Sequence, residues 1–281
     1  MDYLSLYTSR HIAPIRLTNA PYSCIAYGCT ALYNTAMNQT EAFFYTHQGL
    51  ERQGPGSTAT TKTLFELATQ DHSVADVVDL GSGPGSSSLW LAEQGLNVRA
   101  VDSHAPFLDE LRRRATLGRL DKKITIVEGS IDDEVALAGP FDLAWAEGTA
   151  YIIGLNRALT IWKRLLRPGG RIVITDCFWT TDNRSSKAVA FWAADPDMMT
   201  VNQAKELFTQ HDLQILGSVT QPNTDWFDEY YLPLESRVNT LEGAADPILQ
   251  KAIADVREEI EVRRNFGTEY EHVGFVLTPI K

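Results

Sequence analysis

From residue 74 onward, short apolar runs and amphipathic stretches take turns along the chain. Val74 to Leu80 has the length and β-branched character of a buried strand, and Ser86 to Gln94 reads as a helix ending at Gly95. Asn97 to Val101 is a second strand. Phe107, Leu108, Leu111 and Ala115 recur at helical spacing, which predicts an amphipathic helix from Ala105 to about Leu117. Further strands fall at Ile124 to Val127, Phe141 to Ala146 and Arg171 to Asp176, with a helix from Leu155 to Leu166 that Pro168-Gly169-Gly170 stops. A helix at Val201 to Gln210 and strands at Leu213 to Val219 and His272 to Thr278 complete the pattern. Strands separated by helices need right-handed crossovers, so the expected fold is α/β, a mostly parallel sheet with helices on both faces.

Roughly 50 residues separate the last two strands, too many for a bare loop. Asp246-Pro247 reads as a cap followed by proline in the first turn, with Leu249, Ile253, Val256 and Ile260 at helical spacing. Ahead of it, Trp226, Phe227, Tyr230 and Tyr231 crowd into six residues before Pro233, which opens another short helix. The stretch 222–270, together with residues 37–56, is therefore expected to form a helical cover over part of the sheet.

Composition narrows the possibilities. The chain has 281 residues, 44% of them hydrophobic, and a net charge of −11. Its densest basic run, Arg112-Arg113-Arg114, sits beside Asp109 and Glu110 on a helix, the mark of a solvated face, so nucleic acid is a poor substrate. Three cysteines without a CxxC pair suit a reducing compartment, and no apolar stretch reaches the ~20 residues of a membrane span. A cytoplasmic location is expected, and a homodimer is compatible with it. Residues 1–36 differ from the rest, rich in Tyr, Ser, Thr and Ala with Asp2 their single acid. They are expected to be a disordered extension outside a domain at 37–281, either transit-like or lying upstream of a start at Met37.

The candidate chemistry begins at "VVDLGSGPGSSS", residues 77–88. A dinucleotide fingerprint runs G-x-G-x-x-G and would need glycine where Ser86 stands. The glycines are instead Gly81, Gly83 and Gly85, preceded by Asp79. Such a turn is often only a tight connection. Asp102 strengthens it, ending the second strand 21 residues after Gly81, where an acid can accept both hydroxyls of a ribose. A helix cap would explain Asp102 alone just as well.

With these residues the chain resembles the class I S-adenosylmethionine-dependent methyltransferases over about residues 55–281. "VVDLGSGPG" and "AVD" resemble the family's first two motifs, "EGSIDD" its acidic turn after the third strand, and "LLRPGGRIVITD" its hairpin-and-strand signature. "ERQGPGS", "AVDSHAPFLDEL" and "FDLAWAEGTAYIIG" are similar to bacterial small-molecule enzymes near the quinone-biosynthesis C-methyltransferases. The resemblance implies a Rossmann-like seven-stranded sheet with an antiparallel final strand, and S-adenosyl-L-methionine as cofactor. It assigns Asp79, Gly81, Gly83 and Gly85 to the methionine end, Asp102 to the ribose, Ser130, Ile131 and Asp132 to the adenine, and Glu147 to the region of the methyl group. Ser103 departs from the bulky apolar residue common after the ribose acid, so Ile131 is expected to pack on the adenine.

Methyl transfer needs alignment and exclusion of water more than acid–base work. Where a base is required, Glu147 and His47 are the candidates, then Asp176, although a plain polar or capping role suits His47 and Asp176 better. His104 is expected beside the adenosine. Tyr151, Trp179, Trp226 and Tyr230 are candidates for contacting a small aromatic or apolar acceptor, although many such aromatics simply fill cores. No His, Cys and Asp spacing indicates a metal. Two other readings stand beside the methyltransferase: a non-catalytic protein that keeps the S-adenosylmethionine pocket, and a nicotinamide-dependent oxidoreductase. Ser86 and the lack of a Tyr-x-x-x-Lys pair after the fourth strand disfavour the oxidoreductase.

Overall fold

The computed structural model describes residues 37–280 except 194 and 196, so the expectation for residues 1–36 lies outside the described residues. Seven strands form one sheet: β1 (Asp76–Leu80), β2 (Asn97–Asp102), β3 (Ile124–Glu128), β4 (Phe141–Glu147), β5 (Leu166–Trp179), β6 (Leu213–Thr220) and β7 (Tyr270–Pro279). Their order is β3-β2-β1-β4-β5-β7-β6, parallel from β3 to β5, with β7 antiparallel to both its neighbours. This is the Rossmann-like sheet that the resemblance implied. From β1 the chain builds outward to one side and then returns to build the other, so a crevice opens beyond the carboxyl ends of β1 and β4.

Helices cover both faces: α1 (Gln39–Thr46), α2 (Thr58–Thr69), α3 (Ser86–Glu93), α4 (Ala105–Leu117), α5 (Leu155–Trp162), α6 (Ser186–Trp192), α7 (Val201–Gln210), α8 (Leu232–Thr240) and α9 (Pro247–Phe266). Alternate strand residues point to opposite layers. Val78, Leu80 and Phe275 pack with Trp162 and Phe208 on one side, while Val77, Trp145 and Val276 pack with Leu64, Leu91 and Leu111 on the other.

A third apolar cluster lies off the sheet. Trp226, Tyr231, Leu234, Leu249, Ile253, Val256 and Tyr270 are buried together in it. The stretch 223–240 is helical throughout, with a π-helical turn at Phe227–Tyr231 that leads into α8. Asp246 caps α9 by accepting from the N–H groups of Ile248 and Leu249.

Three elements depart from the sequence reading. The helix expected to run to Leu166 ends at Trp162, and β5 begins at Leu166 rather than Arg171. Leu166 pairs with Phe141, and the register then shifts before Leu143 meets Arg171, so the Pro-Gly-Gly stretch lies within the strand. Helix α6 was not expected, because its seven residues bury only Ala188 and Phe191.

Candidate active site

The turn after β1 is shaped by its neighbours. Gly81 (φ 77°) and Gly85 (φ 94°) both adopt left-handed backbone, and a Cβ on either would strike a side chain, 2.4 Å from Thr149 at Gly81 and 2.2 Å from Leu111 at Gly85. The N–H groups of Gly81 and Ser82 donate to Val101 O, fastening the turn to β2. Gly83 N–H donates to Asp102 Oδ2 and His104 N–H to Asp102 Oδ1, both at 2.8 Å. Asp102 thus secures both the glycine turn and the start of α4. The Ser103 N–H adds a third bond, and a carboxylate has four lone pairs, so capacity remains for a ligand.

Asp79 is 2% exposed and accepts from Ser88 Oγ at 2.5 Å. Burial pushes its carboxyl up to about 7, and the charges of Glu147 and Asp102 add to the shift, against the Ser88 bond. At the end of β4, Glu147 accepts from Arg52 (2.8 Å), Thr61 (2.8 Å) and Trp145 Nε1 (3.0 Å). These three donors orient Glu147 and occupy most of its lone pairs, which suits a positioning group better than a base.

His47 has a similar place. Nδ1 lies 2.9 Å from the Phe43 carbonyl, which can only accept, so Nδ1 carries the proton there and Nε2 accepts the Tyr230 hydroxyl at 3.1 Å. Burial lowers its pKa to about 4, so the ring is neutral near pH 7 and weak as a base. The structure makes His47 the group that aims Tyr230.

These residues surround a cavity of about 310 Å³ between the sheet and the cover. Asp79, Gly81, Gly83, Asp102, Glu147, His47, Tyr151, Trp226 and Tyr230 all line it. Five expected residues do not. Gly85 is taken up by packing on Leu111. Ser103 and Ser130 are exposed, and Asp132 pairs with Arg157 at 2.9 Å on the outer face. Ile131 is 2% exposed within the core, its carbonyl accepting from Trp162 Nε1. A sixth, Trp179, is buried against Tyr270 with the Arg184 guanidinium 4.6 Å from its ring centre, away from the cavity wall.

Two flat side chains that do line the cavity are Phe44 and Phe107. Phe44 reaches over from α1 and stacks on His104, with ring centres 3.7 Å apart. Sequence reasoning missed Phe44, and it missed Arg52, Thr149, Asp195, Lys251, Asp255 and Glu259, all on the wall. For the last three a signal existed: positions 251, 255 and 259 recur at intervals of four, on one face of a helix. Asp176 lines the wall as well, 7% exposed. Burial raises its carboxyl to about 8, and Asp195 adds repulsion, against N–H bonds from Cys177 and Tyr151.

Comparison with known proteins agrees with this geometry. Residues 77–170 match a family described as a methyltransferase domain. The cypemycin N-terminal methyltransferase of a Streptomyces species is 30% identical over 148 residues, 50% of this chain and 58% of that protein. The malonyl-[acyl-carrier protein] O-methyltransferase of Salmonella typhimurium is 37% identical over 103 residues, 36% of this chain and 38% of that one. The chain therefore spans only part of the length of these curated relatives. A methyltransferase structure from Geobacter sulfurreducens, solved with S-adenosyl-L-homocysteine, superposes with a TM-score of 0.73 at 19% identity, covering 85% of this chain and 98% of that one.

The match makes residues 77–170 a methyltransferase domain, and the fold is the one shared with the Geobacter sulfurreducens structure. Among the described residues no helix is long and apolar enough to cross a membrane, and no group of His, Cys, Asp and Glu could hold a metal ion.

Proposed function

We propose that the chain transfers the methyl group of S-adenosyl-L-methionine to a small acceptor within the cavity over β1 and β4. The observation that carries this reading is the pairing of Asp102 with the glycine turn on one cavity wall. Asp102 offers lone pairs for ribose hydroxyls, Asp79 offers a carboxyl for an α-ammonium, and Gly83 brings bare backbone to the wall. Phe44 and Phe107 would flank the adenine. When bound, the cofactor supplies a methyl group already activated on a sulfonium.

The chain's own part is to bind, orient and keep out water. Arg52 and Thr61 fix Glu147 beside the glycine turn, His47 fixes the Tyr230 hydroxyl, and the cover excludes solvent. Trp226, Tyr230 and Tyr151 on the wall support an acceptor with an apolar body. The finer placement near the quinone-biosynthesis C-methyltransferases rests on the sequence resemblance.

Calorimetric titration with S-adenosyl-L-homocysteine tests the cofactor site. Asp102→Asn loses one charge-assisted bond to the ligand, about 1.5–3 kcal/mol, so affinity should fall roughly 10- to 150-fold while the protein stays folded by circular dichroism. Unchanged affinity, or tighter binding of NADH by the wild type, would overturn the assignment.

A further inference from the structure

We propose that the acceptor is an aliphatic amine, bound as its ammonium ion and methylated on nitrogen. This inference rests on the methyl-transfer reading above and adds the chemistry of the acceptor. Its basis is the sign of the charges on the wall formed by β5, the segment after α6, and α9. Asp176, Asp195, Asp255 and Glu259 all face the cavity there.

The cations on the wall are already engaged. Arg52 pairs with Glu147 at 2.8 Å and Lys251 with Asp255 at 2.5 Å. Arg263, behind the wall, pairs with Glu271 at 2.8 Å and donates to the carbonyls of Gly267 and Tyr270. Among the described residues no basic side chain makes an ion pair with Asp176 or Asp195, although the two carboxyls repel each other. An anionic acceptor would meet repulsion from Asp195 and a neutral one would leave that carboxylate unpaired, whereas an ammonium ion pairs with it and favours ionisation of Asp176 beside it.

Two further features point the same way. Trp192 lines the cavity, and the face of such a ring attracts organic cations, while the Trp226 ring already carries the Arg263 guanidinium 3.9 Å from its centre. His272 is 5% exposed, lies on the wall, and has an Nδ1 with no hydrogen-bond partner among the described residues. Burial lowers its pKa to about 3, so the imidazole stays neutral and keeps one bare nitrogen that can accept from an N–H.

In the transfer, the ammonium ion first gives one proton to a carboxylate of this wall, which passes it to solvent. The nitrogen lone pair then forms the N–CH₃ bond as the methyl–sulfur bond breaks, and that bonding pair stays on sulfur. The product is a methylated ammonium ion and a neutral thioether, with one proton released.

The test uses the full chain saturated with S-adenosyl-L-homocysteine and three probes that share a body and differ in head group: 2-phenylethylamine, 2-phenylethanol and 3-phenylpropionate. Calorimetry should show the amine binding at least tenfold more tightly than the alcohol, with the carboxylate weakest. In Asp176→Asn/Asp195→Asn that preference should drop below threefold while S-adenosyl-L-homocysteine affinity stays within twofold. Phenylalanyl-alanine amide with a free or an acetylated amino group distinguishes a peptide terminus from a low-molecular-weight amine. An alcohol or carboxylate that binds as well as the amine, no amine binding up to 10 mM, or a preference that survives the double variant would overturn the proposal. Failure of S-adenosyl-L-homocysteine to bind the wild type would instead overturn the methyl-transfer reading.

Discussion

Replacing Asp176 by asparagine isolates the cost of a carboxyl group placed in a closed cavity. The two side chains have nearly the same shape, and the amide oxygen can still accept the Cys177 N–H that now lies 2.8 Å from Oδ1. They differ in what pH does to them. Asp176 keeps its proton in the folded chain up to about pH 8, whereas in the unfolded chain it ionises near 3.8. Between those values the folded state holds a proton that the unfolded state has lost. Stability from this group is therefore fully present below about pH 4 and declines as pH rises towards 8, by about 1.4 kcal/mol per unit.

From pH 5 to pH 8 the wild type should thus lose up to about 4 kcal/mol through Asp176, or roughly 2–4 kcal/mol if water entering the cavity eases the burial. Asp79, raised to about 7, adds a decline of its own in both proteins. Asp195, raised to about 6 mainly by burial and further by Asp197, adds a smaller one in both proteins. Urea unfolding at pH 5, 6.5 and 8 measures the difference. Any mismatch between the new amide and the Tyr151 N–H shifts all three values equally, so the slope remains interpretable. The variant should gain on the wild type steadily with pH. Parallel stability curves would refute the reasoning, since they would mean that Asp176 is solvated and ionises normally.

Two further substitutions probe the frame of the site. Gly85→Ala forces left-handed backbone on a side chain and drives its Cβ into Leu111, so urea unfolding should show a loss of about 2–5 kcal/mol; a loss below 1 kcal/mol would mean that α4 moves aside freely. Arg52→Leu leaves the Glu147 carboxylate without its cation and should cost about 3 kcal/mol by the same measure, with Arg52→Leu/Glu147→Gln regaining more than half; no recovery would show that Arg52 acts through packing instead.

The sheet was legible because its strands are buried on both faces, and a run such as Val77, Val78 and Leu80 has no other stable place. The acids at strand ends were legible for a related reason. Asp79, Asp102 and Glu147 interrupt or close apolar strands, and a carboxyl there needs either a ligand or a set of donors. All three have donors in the structure, which the sequence could not supply, since Ser88, the His104 N–H and Arg52 reach them from other elements. The burial of Ile131 has a physical origin as well. It lies within the acidic turn that family likeness assigned to the cofactor, but a β-branched apolar residue beside Trp162 gains by joining the core. Trp179 went astray in the same way, because aromatic character alone does not separate a cavity wall from packing against Tyr270.

The cover explains why the acceptor end was harder to read than the cofactor end. It is joined to the sheet by bonds between distant parts of the chain: Arg52 to Glu147, Thr60 to Asp225 at 2.5 Å, His47 to Tyr230, and Ser86 to the Glu51 carbonyl at 2.5 Å. None of these pairs shares an element, so no local periodicity announces them. The glycine turn can be recognised from twelve consecutive residues because β1, the turn and α3 are contiguous. The carboxyl-rich wall draws on β5, the segment after α6, and α9, and its net sign emerges only when the ion pairs have been counted off. Arg52 and Lys251 look like available cations in the sequence. In the folded chain each is engaged by a carboxylate, so the positive charge that the sequence offers is spent on the wall itself.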